Sequence, residues 1–443
     1  VRRADGSRRG YGEERDRHVR RCDVLVAPSA ASPVERARTV VVGDEWTVDG
    51  AGVAAWVDPS VHRPVGRRSQ AEGDVGTVVT DAGGTVVTWP GGEVRVGADL
   101  GPADVRALLA LRGVVAGDDS SPRVLAQLAA CGIVVAADAD SLPAHDDRLA
   151  WEVASVASRR AALRDYSAPA AVMGWPSVSV ILATHRADHI EAALRQVAAF
   201  EYPNLEVVIG AHGPALDAVT VSGLASAIPH PTRVVAVDAD RTLGEVLQVC
   251  SDRSDGTLVT KMDDDDVYGA DHVWDLVVAR HYSGAQVVGK ALDWIRVESA
   301  DVTVFRPTYA AEKYASFVAG GTMLVSRADL AAVGGWRPVP KSVDRALLDR
   351  VLAAGGLVYR THGLGYVYVR GGHGHTASVQ DAHFLTKTAA TYPGLIQHEV
   401  FGTALAVLRK NGPHVRCVAE RVGRDDGPQR GAAPAPRGRA PAA

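Results

Sequence analysis

The stretch from Val259 to His272, VTKMDDDDVYGADH, sets four carboxylates, Asp263, Asp264, Asp265 and Asp266, directly after a short apolar run. Two like charges about 4 Å apart repel by about 4 kcal/mol even at an effective dielectric of about 20, so such a run needs either water or a cation. On an extended strand alternate residues share a face, which puts Asp263 and Asp265 on one side and Asp264 on the other. Two hard oxygen ligands converging on one point suit Mg²⁺ or Mn²⁺, with phosphate oxygens completing the shell. A solvated acidic turn is the plainer alternative. The position of the run at the end of a buried strand favours the cation.

The elements that must hold these acids read as an alternating pattern. PSVSVILATHR is an apolar strand, DHIEAALRQVAAF an amphipathic helix, NLEVVIGAHG and TRVVAVDAD two further strands, TLGEVLQVCSDRSDG a helix capped by Gly256, and TLVTKM the strand that leads into the acids. Strands and helices alternating at this length predict an α/β fold with a mostly parallel sheet, whose ligands sit outside the carboxyl ends of the strands. Further on, Ser342 is a candidate N-cap, Val343, Leu347 and Val351 form an apolar stripe, and Gly355 closes a helix with Asp344 in its first turn.

Around this core the chain divides. A break at SAPAAVMGWP, Ser167 to Pro176, follows a helix from about Asp147 to Arg164. It separates an N-terminal α/β module, 21–166, from a second domain, 176–410. In the module, VGTVVTDAGGTVVTWPGGEVRVG gives short alternating strands with turns at Asp81–Gly84 and Pro90–Gly92, and two helices and a strand follow. The ends, 1–20 and 411–443, are Arg-, Pro- and Gly-rich without apolar periodicity and are expected to be disordered. The 443 residues carry 47% hydrophobic residues and a net charge of -4, so neither nucleic acid nor an anionic membrane is favoured as partner. No apolar run reaches the roughly 18 residues needed to span a bilayer, although peripheral membrane contact stays open. Cys22, Cys131, Cys250 and Cys417 are widely spaced, which suits free thiols in a cytoplasmic protein.

The segment from Pro176 to about Thr376 resembles a family 2 glycosyltransferase of GT-A fold. SVILATHR, EVVIGAHG, TLGEVLQVCSDRSDG, TKMDDDD as the DXD motif, GGTMLVSRADLAAVGGW and the helix after it stand in the family's order. The resemblance implies a nucleotide-sugar donor, UDP by default with GDP and dTDP open, and a glycan, lipid-linked or other hydroxyl acceptor. It implies Mn²⁺ or Mg²⁺ on Asp265 and Asp263, with His375 completing the shell and His373 as second choice. Thr184, His185, Arg186 and His212 would join Asp263 at the donor, Asp344 would be the base of an inverting transfer, and Trp336 would meet the acceptor.

The sequence departs from the family where Ala183-Thr184-His185-Arg186 replaces a Pro-Thr-Tyr-Asn type motif, where Gly210 to Gly213 lacks a base-reading acid, and where Val343 replaces the Glu before Asp344. SPRVLAQLAACGIVVAAD weakly resembles a nucleotide-binding stretch of GT-B glycosyltransferases, with Gln127 at the family's Glu and Gly132 at its glycine. A catalytically inactive glycan-binding or scaffold protein is the alternative. A nucleotidyltransferase is disfavoured because no Gly-rich basic loop follows the first strand.

Overall fold

The computed structural model describes residues 47–48, 53–54, 73–96, 102–167, 174–339, 342–371 and 381–403. The expected tails 1–20 and 411–443, the centre of the break near Ser167, Cys22, Cys417, His373 and His375 lie outside them.

The N-terminal part holds β1 (Val75–Asp81), β2 (Gly84–Trp89), β3 (Gly92–Val96), α1 (Pro102–Ala110), β4 (Gly113–Ala116), α2 (Pro122–Ala130), β5 (Val134–Ala136) and α3 (Arg148–Tyr166). Its sheet runs β3-β2-β1-β4-β5, antiparallel through the hairpins and parallel from β1 onward. Alternate valines Val78, Val87, Val94 and Val114 point into one core, as the alternation in sequence requires. Gln127 is 1% exposed, which places it in that core and away from any ribose. Asp147 caps α3 by accepting from the Ala150 N–H at 2.9 Å, and α3 then buries Val156 against the second part of the chain.

The second part continues with β6 (Val178–Thr184), α4 (Ile190–Ala198), β7 (Leu205–His212), α5 (Ala218–Ala225), β8 (Thr232–Val237), α6 (Leu243–Asp252), β9 (Leu258–Met262), β10 (Val267–Tyr268), α7 (His272–Ser283), β11 (Val287–Lys290), β12 (Trp294–Val297) and β13 (Val302–Phe305). It ends with β14 (Lys313–Tyr314), β15 (Leu324–Ser326), α8 (Arg327–Ala332), α9 (Val343–Ala353), β16 (Val358–Thr361), β17 (Tyr366–Arg370), α10 (Asp381–Phe384) and β18 (Ala390–Pro393). The large sheet has the order β8-β7-β6-β9-β15-β11-β16-β14, with β15 and β14 reversed and the other strands parallel. A five-stranded sheet, β10-β17-β12-β13-β18, stands beside it. The fold is therefore mixed α/β, and the strand run of β6 to β9 is the parallel core expected from the sequence.

Two local expectations need correction. Helix α6 ends at Asp252 with Arg253 as its cap, so Gly256 does not close it. Gly256 instead lies against β6, where its N–H donates to Ser179 Oγ at 2.9 Å and a Cβ would sit 2.5 Å from that oxygen. At the start of α9, Ser342 occupies the N-cap with φ of 59° and its side chain makes no capping hydrogen bond. The stripe Val343, Leu347 and Val351 is buried as read, and Gly355 follows the helix with φ of 80°. Among the described residues no helix is long and apolar enough to cross a membrane.

Candidate functional site

Strand β6 is where the sheet changes its direction of growth: β7 and β8 add on one side of it and β9 on the other. Loops leaving neighbouring strands at such a point diverge and open a crevice. Leu182 pairs with Met262, so Thr184, His185 and Arg186 leave β6 level with the acids leaving β9. Together with Gly320, Gly321, Asp344 and Tyr366 they line a cleft of about 500 Å³, a size suited to a small-molecule ligand.

The acids do not continue the strand. Beyond Met262 the backbone turns, so face alternation no longer applies and each carboxylate finds its own partner. Asp263 Oδ1 is 2.7 Å from Lys261 Nζ, and its N–H donates to the Tyr268 hydroxyl at 2.9 Å. Asp264, read from sequence as a spacer on the far face, is 5% exposed and accepts from the Thr184 hydroxyl and from Nε and Nη2 of Arg186. Asp265 Oδ2 accepts from Arg186 Nη1 at 2.9 Å. Asp266, 3% exposed, accepts from the Tyr366 hydroxyl at 2.7 Å and from the Val369 N–H at 2.9 Å. Burial raises the Asp266 pKa well above the usual carboxylate range, and Asp263 and Asp265 add to the shift.

Lys261 was not singled out by the sequence reading. It is 3% exposed, with Nζ 2.7 Å from Asp263, 3.3 Å from Asp344 Oδ1 and 3.3 Å from the Gly320 carbonyl. Burial disfavours its charge, but Asp263 and Asp344 outweigh burial and hold the ammonium protonated. The available signal was a Lys in a mostly apolar strand, two positions before the first acid. Arg186 is likewise held cationic, its burial outweighed by Asp264 and Asp265.

Gly320 and Gly321 form the floor. A Cβ on Gly320 would fall 2.1 Å from Asp344 Oδ2, and one on Gly321 would meet the Tyr268 hydroxyl at 2.8 Å and Asp263 Oδ2 at 2.9 Å. Only backbone without side chains lets the carboxylates of β9 and α9 converge. Asp344 Oδ1 has no hydrogen-bond partner among the described residues beyond its ion contact with Lys261.

His185 and His212 both line the cleft, edge to face with ring centroids 6.2 Å apart, and His212 Nε2 has no hydrogen-bond partner among the described residues. Trp336 is elsewhere: it is 4% exposed in the core between α6 and α9, its indole N–H donating to Ser251 Oγ at 2.9 Å. That corrects its expected place at an acceptor, because neither ring face is open. Trp294, 2% exposed, is packed against Phe305 and Phe401, and the 41%-exposed Tyr309 lies beside Phe317, which itself lines the cleft.

Among the described residues no three His, Cys, Asp or Glu side chains cluster as a metal cage. The donor set fits a different mode of binding. Among the described residues Asp265 is held at the cleft by one bond from Arg186, and Asp263 Oδ2 faces Gly321, which suits a hard cation held by one or two carboxylates together with phosphate oxygens.

No protein family and no curated protein matches the chain. Among solved structures it is similar to the mannosyltransferase PcManGT from Pyrobaculum calidifontis in complex with GDP-Man and Mn²⁺, at 18% identity, TM-score 0.36, covering 45% of this chain and 57% of that one. It is also similar to S. aureus TarS 1–349 in complex with UDP-GlcNAc, at 14% identity, TM-score 0.38, covering 46% of this chain and 61% of that one. The chain thus spans less than two thirds of either structure.

Proposed function

We propose that the cleft is the donor site of an inverting, metal-dependent glycosyltransferase that moves a sugar from a nucleotide sugar to a hydroxyl of a glycan, lipid-linked or other acceptor. The observation that carries this reading is the convergence of an acidic turn and a separate helix-borne carboxylate on one Gly-Gly floor at the switch point of a parallel sheet. One carboxylate group, Asp265 with Asp263, is suited to a cation; the other, Asp344, comes from α9 with Oδ1 held against Lys261 and Oδ2 over Gly320.

The charges support the metal. Burial disfavours the charge of Asp266, yet Asp263, Asp264, Asp265 and Asp344 still face Arg186 and Lys261, four carboxylates against two cations, a formal excess of two negative charges. A diphosphate cannot enter such a cleft uncompensated. A divalent ion on Asp265 and Asp263 would offset the charge that develops on the leaving diphosphate. Thr184 and Arg186 border the diphosphate position from β6, and His185 and His212 offer ring faces and donors to the nucleoside. Asp344 accepts the proton of the acceptor hydroxyl as that oxygen attacks the anomeric carbon. Lys261 holds Asp344 and Asp263 one ammonium apart, which fixes the base relative to the donor.

The test is a panel of UDP-, GDP- and dTDP-sugars with Mn²⁺ or Mg²⁺, measuring diphosphate release. Wild type is expected to release diphosphate from at least one donor, with Asp265→Asn abolishing release and keeping its thermal unfolding. No release from any donor, with simple glycosides supplied as acceptors, moves the chain to the glycan-binding alternative.

A further inference from the structure

The two arms of the Arg186 guanidinium are not held alike. Nε and Nη2 grip Asp264, whose side chain is 4% exposed and which also accepts from the buried Thr184 hydroxyl. Nη1 makes a single 2.9 Å bond to Asp265, whose side chain is 20% exposed at the cleft. The Arg186 N–H donates back to Thr184 Oγ1 at 3.1 Å, tying the loop after β6 to the same anchor. A two-point grip on a buried anion is durable, while a one-point contact at a wet surface is weak and exchangeable. The Asp264 side is therefore fixed and the Asp265 side is free to change partner.

We propose that Arg186 is a latch that occupies the carboxylate a divalent cation must take, and that cation binding at Asp265 turns Nη1 loose toward the incoming phosphates. Rigid on Asp264, the guanidinium does not leave the cleft; it exchanges one anion for another. Arg186 thus opposes the metal when the metal comes alone and assists the diphosphate when both come together. Metal and nucleotide become coupled through one side chain, and by reciprocity each raises the affinity for the other. The first half of this proposal concerns the cation only; the second half rests on reading the cleft as a nucleotide-diphosphate site.

Opposite signs make the test decisive. Binding of Mn²⁺ alone is followed by the loss of the free-ion paramagnetic resonance signal, and binding of UDP and GDP at saturating Mn²⁺ by calorimetry. Arg186→Met is expected to bind Mn²⁺ alone about two- to fivefold more tightly than wild type, an amount set by one exposed charge contact. It should bind the nucleoside diphosphates about tenfold more weakly, having lost a charge-assisted bond to phosphate. Asp265→Asn added to Arg186→Met should erase the gain in Mn²⁺ affinity. Because Arg186→Met strands Asp264 without its partner, the double variant Arg186→Gln with Asp264→Asn, which buries no unpaired charge, carries the same measurements.

Mn²⁺ affinity unchanged or weakened in both variants overturns the latch. Tighter Mn²⁺ with unchanged UDP and GDP affinity overturns the exchange onto phosphate. The cation measurement uses no sugar donor, so a chain that shows the latch but releases no diphosphate from any nucleotide sugar sinks the glycosyltransferase reading alone.

Discussion

At the residue scale the site is organised around the two cations that sit among its acids. Lys261 shares one ammonium between Asp263 and Asp344, and its removal leaves two carboxylates facing each other across the Gly-Gly floor. Taking one partner from a fully buried pair costs roughly 3–5 kcal/mol. Both acids have side chains 35% exposed, so solvent reduces the loss in Lys261→Met to about 2 kcal/mol. Chemical denaturation of Lys261→Met, alone and with Asp344→Asn, checks this: the second substitution should recover part of the lost stability by removing the repulsion. Asp344→Asn alone is expected to leave donor binding intact and lower transfer at least a hundredfold, the scale of losing a general base. Wild-type turnover in that variant would move the base elsewhere.

At the scale of elements, the approach of α9 to β9 depends on the turn before β15. Gly320 lies where any side chain would strike the Asp344 carboxylate, so Gly320→Ala must displace the first turn of α9. Overpacking of this kind costs about 1–3 kcal/mol. Thermal unfolding of Gly320→Ala and of Gly320→Ala with Asp344→Ala separates packing from chemistry: the pair should regain stability and still release no diphosphate. The five-stranded sheet has a comparable duty, because β17 supplies both the Tyr366 hydroxyl and the Val369 N–H to Asp266. Tyr366→Phe should therefore disturb the acid run from the side opposite Arg186.

At the scale of the whole molecule, α3 joins the N-terminal sheet to the large one through buried charge. Arg160 Nε is 2.7 Å and Lys290 Nζ 2.6 Å from the two oxygens of Asp275, and Arg159 is 3.2 Å from Glu312. Burial works against the Asp275 charge, but Arg160 and Lys290 outweigh it and hold the carboxyl well below its usual range. His362, against Asp275, Lys290 and Glu312, is pushed down to about 4 by burial, and burial lowers His272 as well. The folded state thus keeps His362 neutral, and the unfolded chain, with an ordinary value near 6.5, takes the proton first as pH falls. Stability present at pH 7 is lost from about pH 6.5 down to about pH 4, with about 2 kcal/mol gone by pH 5 from His362 alone. Denaturation midpoints at pH 7, 6 and 5 check this, and His362→Gln should flatten the profile.

How much of this was legible in the sequence differs by kind of fact. The strands β6 to β9 and their helices were legible because buried parallel strands and amphipathic helices write their periods into the chain, and short-range sterics enforce them. The position of the acids at a strand's carboxyl end followed from the same pattern. Which acid does what did not follow, since the alternation rule stops at Met262 where the backbone turns. Asp264 became the anchor of Arg186 and Asp266 went to β17, each through a partner remote in sequence, while Asp263 met Lys261 two positions back, an ammonium it shares with the distant Asp344. Trp336 shows the same limit in reverse: an aromatic after two glycines gives no local sign of whether its face meets solvent or core. The sequence by itself determined the elements and the presence of the acids, because those depend on neighbours along the chain. Only the tertiary structure decided how the charges are shared, because a carboxylate's partner is set by which strands lie side by side.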